Sequence, residues 1–182
     1  IDRDPRLAQG LDRQMILRRA AKLLAGLLSV LIGLLALLWV LAFVREREGG
    51  VPAGMRLIPT SLGRVAVVER GPANGAPVLL IHGTAGWSGF WSEVNAYLAS
   101  RGWRVIAVDM PPFGYSDRDP VGRYDRVSQA RRLSEVLRQV AGGQPAMVVA
   151  HSFGAGAGAE LASIDPAAVT GLVLVDPALG VP

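Results

Sequence analysis

The run Met147-Val148-Val149-Ala150-His151-Ser152-Phe153-Gly154 limits the fold of this chain more than any other stretch. Apolar residues of strand type end abruptly on a serine set among small residues. Ala155-Gly156-Ala157-Gly158-Ala159-Glu160-Leu161 then follows as a helical segment. The pattern reads as strand, tight turn, helix, with Ser152 on the turn. A serine so placed occupies strained backbone and projects its hydroxyl outward, and small neighbours let strand and helix approach closely. The same residues also suit a Gly/Ser-rich turn packed tightly for structural reasons alone.

Two upstream motifs separate these readings. Pro77-Val78-Leu79-Leu80-Ile81 is a second apolar run, and it ends in His82-Gly83-Thr84-Ala85-Gly86-Trp87. Stabilising an oxyanion takes two backbone N–H groups aimed at one point, one of them from the residue after the nucleophile. Phe153 supplies the first and Thr84 the natural second. Between the two motifs lies Arg104-Val105-Ile106-Ala107-Val108, then Asp109-Met110-Pro111-Pro112-Phe113-Gly114-Tyr115-Ser116-Asp117.

Taken in order, these three motifs resemble the α/β-hydrolase fold family, in its esterase and C–C hydrolase-like branch, over residues 55–182. The family pattern is a strand ending in H-G, a strand ending in D-x-P-G-x-G-x-S, then G-x-S-x-G. This chain departs at Pro112 and Ala150, where glycine is usual. The resemblance implies a doubly wound, mostly parallel sheet carrying the family's first six strands. It implies Ser152 as nucleophile of a hydrolase of carboxylic-ester or related acyl bonds. Phe153 and Thr84 would form the oxyanion hole, with His82 and Gly83 shaping and lining the site. No cofactor and no metal is implied.

Ahead of this domain, Leu23 to Val44 carries no charged residue, and Ser29 is its only polar side chain. As a helix these residues span roughly 33 Å, enough for a hydrocarbon core of about 30 Å. A buried core helix of such length usually carries a polar stripe. A cleaved signal peptide has an apolar stretch of roughly 7–15 residues and an A-x-A-like site, and Leu41-Ala42-Phe43-Val44-Arg45 offers none. The expectation is an uncleaved anchor contacting the lipid bilayer through residues 23–44. Arg3, Arg6, Arg13, Arg18, Arg19 and Lys22 precede the span, and only Arg45 and Arg47 follow it closely. Excess positive charge marks the cytoplasmic side. That makes residues 1–22 a cytoplasmic basic segment and puts residues 55–182 on the periplasmic or extracellular side, with a bacterial inner membrane as the expected setting.

The net charge of +4 divides accordingly: +3 in residues 1–22, zero in 45–50 and +1 in 51–182. The basic balance therefore belongs to the membrane flank and gives no patch for nucleic acid. Absence of cysteine excludes a disulfide framework and thiolate chemistry. Residues 45–54 read as a linker of at most ~35 Å at ~3.5 Å per residue. Such a tether would keep the domain near the bilayer and favour lipophilic esters, or else serve assembly with another membrane protein.

Within the domain, Met55–Pro59 and Arg64–Glu69 read as two strands around the turn at residues 61–63. Trp87, Trp91, Val94 and Leu98 recur at helical spacing, which assigns both tryptophans to the core. Val127, Ala130, Leu133, Leu137 and Val140 mark a helix with Arg131, Arg132, Glu135 and Arg138 on its wet side. Leu172 to Val175 reads as a further buried strand. Asp109 reads as a turn-former for Pro111-Pro112.

A serine hydroxyl needs a positioned base, usually a histidine that a carboxylate orients. The chain holds two histidines. His151 directly precedes the serine in extended backbone and should face away from the hydroxyl, and His82 belongs to the oxyanion loop. The resemblance implies a base, and usually an acid, beyond residue 182. Asp176, ending the sixth strand, is the less common family position for that acid and otherwise caps the strand end. Two expectations follow. The chain is a segment of a longer hydrolase of ~300 residues, or it is a shortened, inactive accessory subunit of a membrane protein complex. Ser29-x-x-x-Gly33 would allow close helix packing in the second case. A nucleotide site on Gly154, Gly156 and Gly158 is poorly supported, because the spacing is not G-x-G-x-x-G.

Overall fold

The computed structural model describes residues 5–48 and 50–180, which divide into two compact units, residues 1–50 and 51–182. The first unit is one continuous helix, α1 (Pro5–Glu48). Proline at the first helical position fits, because its fixed φ suits the helix and its missing N–H would lack a partner there anyway. The stretch Arg18–Arg45 is long and apolar enough to cross a membrane, with a mean hydropathy of 2.9, and its side chains are all exposed. The helix runs beyond residues 23–44 at both ends. Residues 5–22 and 45–48 are therefore helical, and part of the expected linker is helix.

The second unit is a six-stranded sheet with helices on both faces. Its elements are β1 (Met55–Thr60), β2 (Gly63–Arg70), β3 (Pro77–Ile81), α2 (Ser92–Ser100), β4 (Arg104–Asp109), α3 (Arg126–Val140), β5 (Ala146–His151), α4 (Phe153–Ile164) and β6 (Val169–Val175). The spatial order is β1-β2-β4-β3-β5-β6. β4, β3, β5 and β6 are mutually parallel, and β2 pairs antiparallel with both β1 and β4. This is the mostly parallel, doubly wound sheet the motif order implied. β5, which leads into Ser152, lies between β3 and β6.

Alternation along β3 feeds two cores. Leu79 and Ile81 join Ile106, Val108, Val148 and Ala150 under α3 and α4. Val78 and Leu80 join Val105, Ala107 and Trp91 on the opposite face. Every residue of β3 is buried, as expected of a parallel strand covered on both sides.

Three assignments from the pattern differ in the fold. Trp87 is 52% exposed, whereas Trp91 is buried. Trp87 has extended backbone ahead of a 3-10 turn (Ser88–Trp91), so helical spacing does not relate the two rings. Leu172 to Val175 lie on the edge strand β6, where Val173 and Val175 are exposed. Arg132, expected on the wet face of α3, is 1% exposed and pairs at 3.1 Å with Asp119, itself 1% exposed. The segment after β4 folds over this face of α3. It brings the Arg123 carbonyl to 2.7 Å from the guanidinium, and the Leu62 carbonyl and Gln129 Oε1 complete its acceptors. Exposed Arg131 is its neighbour on the same helix. Arg123 also pairs with Asp119 at 2.8 Å, so removing Arg132 costs Asp119 one of two cations and leaves the Arg123 and Leu62 carbonyls without their guanidinium donor. Arg132→Met should therefore lower the thermal midpoint of the full chain by several degrees, while Arg131→Met stays within about 0.5 kcal/mol of wild type. Equal midpoints for the two variants would contradict a stabilising Arg132–Asp119 pair.

Candidate active site

Ser152 sits between β5 and α4 with φ 50 and ψ −120, a left-handed backbone that side chains rarely adopt. Its N–H donates to the Val175 carbonyl at 3.0 Å, and its carbonyl accepts from Ala155 N–H at 3.0 Å and Ala178 N–H at 3.1 Å. Its hydroxyl makes no cap hydrogen bond to α4, so the oxygen is left free at a helix N-terminus. Phe153 is the first residue of that helix, and its N–H is among the donors without a partner inside the helix. A Cβ on Gly154 would lie 2.3 Å from the His82 carbonyl, so only glycine allows α4 to start this close to β3.

The loop after β3 reaches the same point. A Cβ on Gly83 would meet Ser152 Cβ at 3.0 Å and His151 Nδ1 at 2.8 Å. Thr84 follows, exposed, and Ala85 takes φ 57. His82 is fully buried. One ring nitrogen, Nδ1, is 2.7 Å from the Gly83 carbonyl, and the other, Nε2, accepts the Met110 N–H at 2.8 Å. A carbonyl only accepts and an amide N–H only donates, so the ring is neutral with its proton on Nδ1. Both nitrogens are used, so His82 shapes the loop and is not a proton acceptor for Ser152. Burial holds its pKa below 6.5, against opposing contributions from the Gly83 hydrogen bond and the Asp109 charge.

Asp109 does more than form the turn at Pro111-Pro112, whose connecting peptide bond is cis. Its fully buried carboxylate accepts Ser88 N–H at 2.6 Å and Tyr115 N–H at 2.9 Å, tying the loops after β3 and β4 together. Ser116 extends the link, donating to the Asp109 carbonyl and accepting Ala66 N–H at 2.8 Å. Between these loops lies an open cleft of about 360 Å³ lined by Ala85, Gly86, Trp87, Phe113, Gly114 and Tyr115. Neither the cleft nor the hub role of Asp109 was read from the motifs. Trp87, read from its spacing as core, in fact lines this cleft.

The His151 ring stacks on Phe90 at 5.0 Å and 24°. Among the described residues, no histidine hydrogen-bonds to the Ser152 hydroxyl. Asp176 follows β6 with φ 45, exposed, between two residues whose backbones bond to Ser152. No group of three or more His, Asp or Glu among the described residues is placed to hold a metal ion.

A family model for the alpha/beta hydrolase fold matches residues 76–182, more than half of the chain. The chain belongs to that family. It is 41% identical over 66 residues to a haloalkane dehalogenase of Psychrobacter cryohalolentis, covering 36% of this chain and 22% of that protein. It is 37% identical over 102 residues to a 2-hydroxymuconate semialdehyde hydrolase of Pseudomonas putida, covering 56% of this chain and 36% of that one. The solved esterase RhEst1 from Rhodococcus sp. ECU1013 superposes with a TM-score of 0.64 at 29% identity, over 71% of this chain and 48% of that one. The chain thus spans less than half the length of these relatives, whose names point to different substrates.

The neutral His82 has a consequence in acid. Its folded pKa lies below 6.5, so the unfolded chain binds the extra proton first as pH falls. The stability it contributes is fully present above about pH 6.5 and is lost as pH drops through that value toward the folded pKa. Thermal midpoints of the full chain between pH 7.5 and 5.5 should decline less steeply for His82→Phe than for wild type. Parallel declines would show that His82 is not the group responsible.

Proposed function

We propose that the chain carries the nucleophile and oxyanion hole of a membrane-anchored serine hydrolase acting on carboxylic-ester or related acyl bonds. The observation that carries this reading is the backbone of Ser152. It is a non-glycine residue in left-handed geometry on a strand–helix turn, with its hydroxyl unbonded and the oxyanion loop packed against it. In the proposed reaction the Ser152 hydroxyl oxygen attacks the acyl carbon and gives its proton to a general base. The carbonyl oxygen gains negative charge and is held by the Phe153 and Thr84 N–H groups. Collapse expels the alcohol with that proton, and water hydrolyses the acyl-enzyme by the same steps. The positive end of α4 favours the developing charge. The reading places the base beyond residue 182, in keeping with the greater length of the relatives, with Asp176 as a candidate acid.

The anchor belongs to the same proposal. Residues 23–44, within the apolar stretch Arg18–Arg45, cross the bilayer with the basic residues 1–22 inside, putting the domain on the periplasmic or outer face. A reporter fused after residue 182 should then register as non-cytoplasmic, and a cytoplasmic signal would reverse the orientation.

Labelling with a fluorophosphonate probe tests the chemistry. The full-length protein should be labelled, and Ser152→Ala should abolish the signal. Labelling that persists in Ser152→Ala would remove Ser152 as nucleophile. No labelling of a folded, full-length wild type would favour the accessory-subunit reading instead.

A further inference from the structure

The loop that carries Thr84 is held firmly on one side only. Toward β4, the Gly83 carbonyl takes the His82 Nδ1 proton at 2.7 Å and the Gly86 N–H at 3.2 Å. Ser88 N–H is fixed to Asp109 at 2.6 Å. Local preference does not help, because Ala85 sits at φ 57, where a side chain is disfavoured. On the side facing Ser152 no hydrogen bond among the described residues restrains the loop, and the contact is one of packing. A Cβ on Gly83 would lie 2.8 Å from His151 Nδ1, 3.0 Å from Ser152 Cβ and 3.3 Å from His151 Cε1, so both residues pack close to this glycine. The same His151 ring is stacked on Phe90 at 5.0 Å. His151 Nδ1 is buried and has no hydrogen-bond partner. A buried nitrogen without a partner costs free energy, so the ring is not held there by polar bonding. What the ring supplies at this position is bulk that touches both Phe90 and the Gly83 turn.

We propose that His151 is a positioning residue for the reaction of Ser152: its imidazole is a wedge between Phe90 and Gly83 that holds the Thr84 N–H at the oxyanion. The inference rests on the serine-hydrolase reading. Without the ring, the space beside Gly83 opens and the loop relaxes along the one direction in which hydrogen bonds do not restrain it. The Thr84 N–H then moves off the point where charge develops. Substrate affinity does not depend on that alignment and turnover does, since the donor acts most strongly in the transition state.

The test uses the full-length protein, with fluorophosphonate labelling of Ser152, hydrolysis of p-nitrophenyl butyrate and thermal midpoints measured in parallel. His151→Ala should lower the labelling rate and kcat by about 10- to 100-fold, the range set by misplacing one donor, with KM changed by less than about twofold. His151→Phe, which keeps the flat ring and the stack, should recover most of the loss. Phe90→Ala, at an exposed position where folding is not at stake, should reproduce a smaller loss of kcat in the same direction. Wild-type kcat in His151→Ala or Phe90→Ala overturns the wedge. So does a His151→Phe variant as slow as His151→Ala at an unchanged thermal midpoint, because the imidazole nitrogens would then be what matters. A wild type whose labelling is indifferent to Ser152→Ala removes the parent reading instead, and the two failures are thereby told apart.

Discussion

The backbone of Ser152 is the constraint from which the rest of the site follows. Holding a non-glycine residue in sparsely populated geometry costs on the order of 1–3 kcal/mol, and it persists only when its surroundings over-determine it. Here the surroundings come from both neighbouring strands. β6 contributes the Val175 carbonyl and the segment after it the Ala178 N–H, and the residue after β3 contributes the His82 carbonyl against which Gly154 packs. The strand order explains why these partners are available: β5 lies between β3 and β6, so its C-terminal turn emerges between their two loops. The oxyanion loop and the Asp176 segment meet at Ser152 as a result of topology, with no local signal linking them.

This separates what the residues announced from what they concealed. β3, β4 and β5 and the turn at Ser152 are legible because they are short apolar runs broken by small residues, and both sheet faces are covered. Local chemistry alone fixes such elements. Trp87 differs because its backbone is extended, so helical spacing does not apply to it. For Arg132 and β6 the pattern reports which face of an element could be buried, and tertiary context decides whether it is. Arg132 is covered because a segment with no periodicity of its own folds over α3 and supplies Asp119 and a backbone carbonyl. On β6, Leu172 and Leu174 pack against the core while Val173 and Val175, on the opposite face, are exposed. The Asp109 hub is a long-range event of the same kind, joining Ser88 and Tyr115 across two loops.

The two histidines show how far residue type falls short of role. Both stand at the ends of adjacent parallel strands, beside Gly83. His82 is bonded at both nitrogens, one as donor and one as acceptor, which fixes its tautomer and keeps it neutral. His151 has a buried nitrogen with no partner and meets its surroundings through ring faces and edges. One is held by hydrogen bonds and the other by shape. Nothing in His82-Gly83 or His151-Ser152 as dipeptides distinguishes them.

The departure from glycine at Ala150 is answered within the same helix–strand contact. A Cβ placed on Gly158 would lie 3.0 Å from the Ala150 methyl and 3.4 Å from Val148. Ala150 is fully buried, so that methyl has nowhere else to go. The extra carbon on the strand is therefore accommodated by the missing one on α4, two turns beyond the nucleophile. A side chain at both positions would push α4, and with it the Phe153 amide at its first turn, away from β5. Close approach of strand and helix is the physical requirement behind the small residues of the motif. This chain meets it by keeping the summed volume of positions 150 and 158 small, even with alanine where the pattern has glycine.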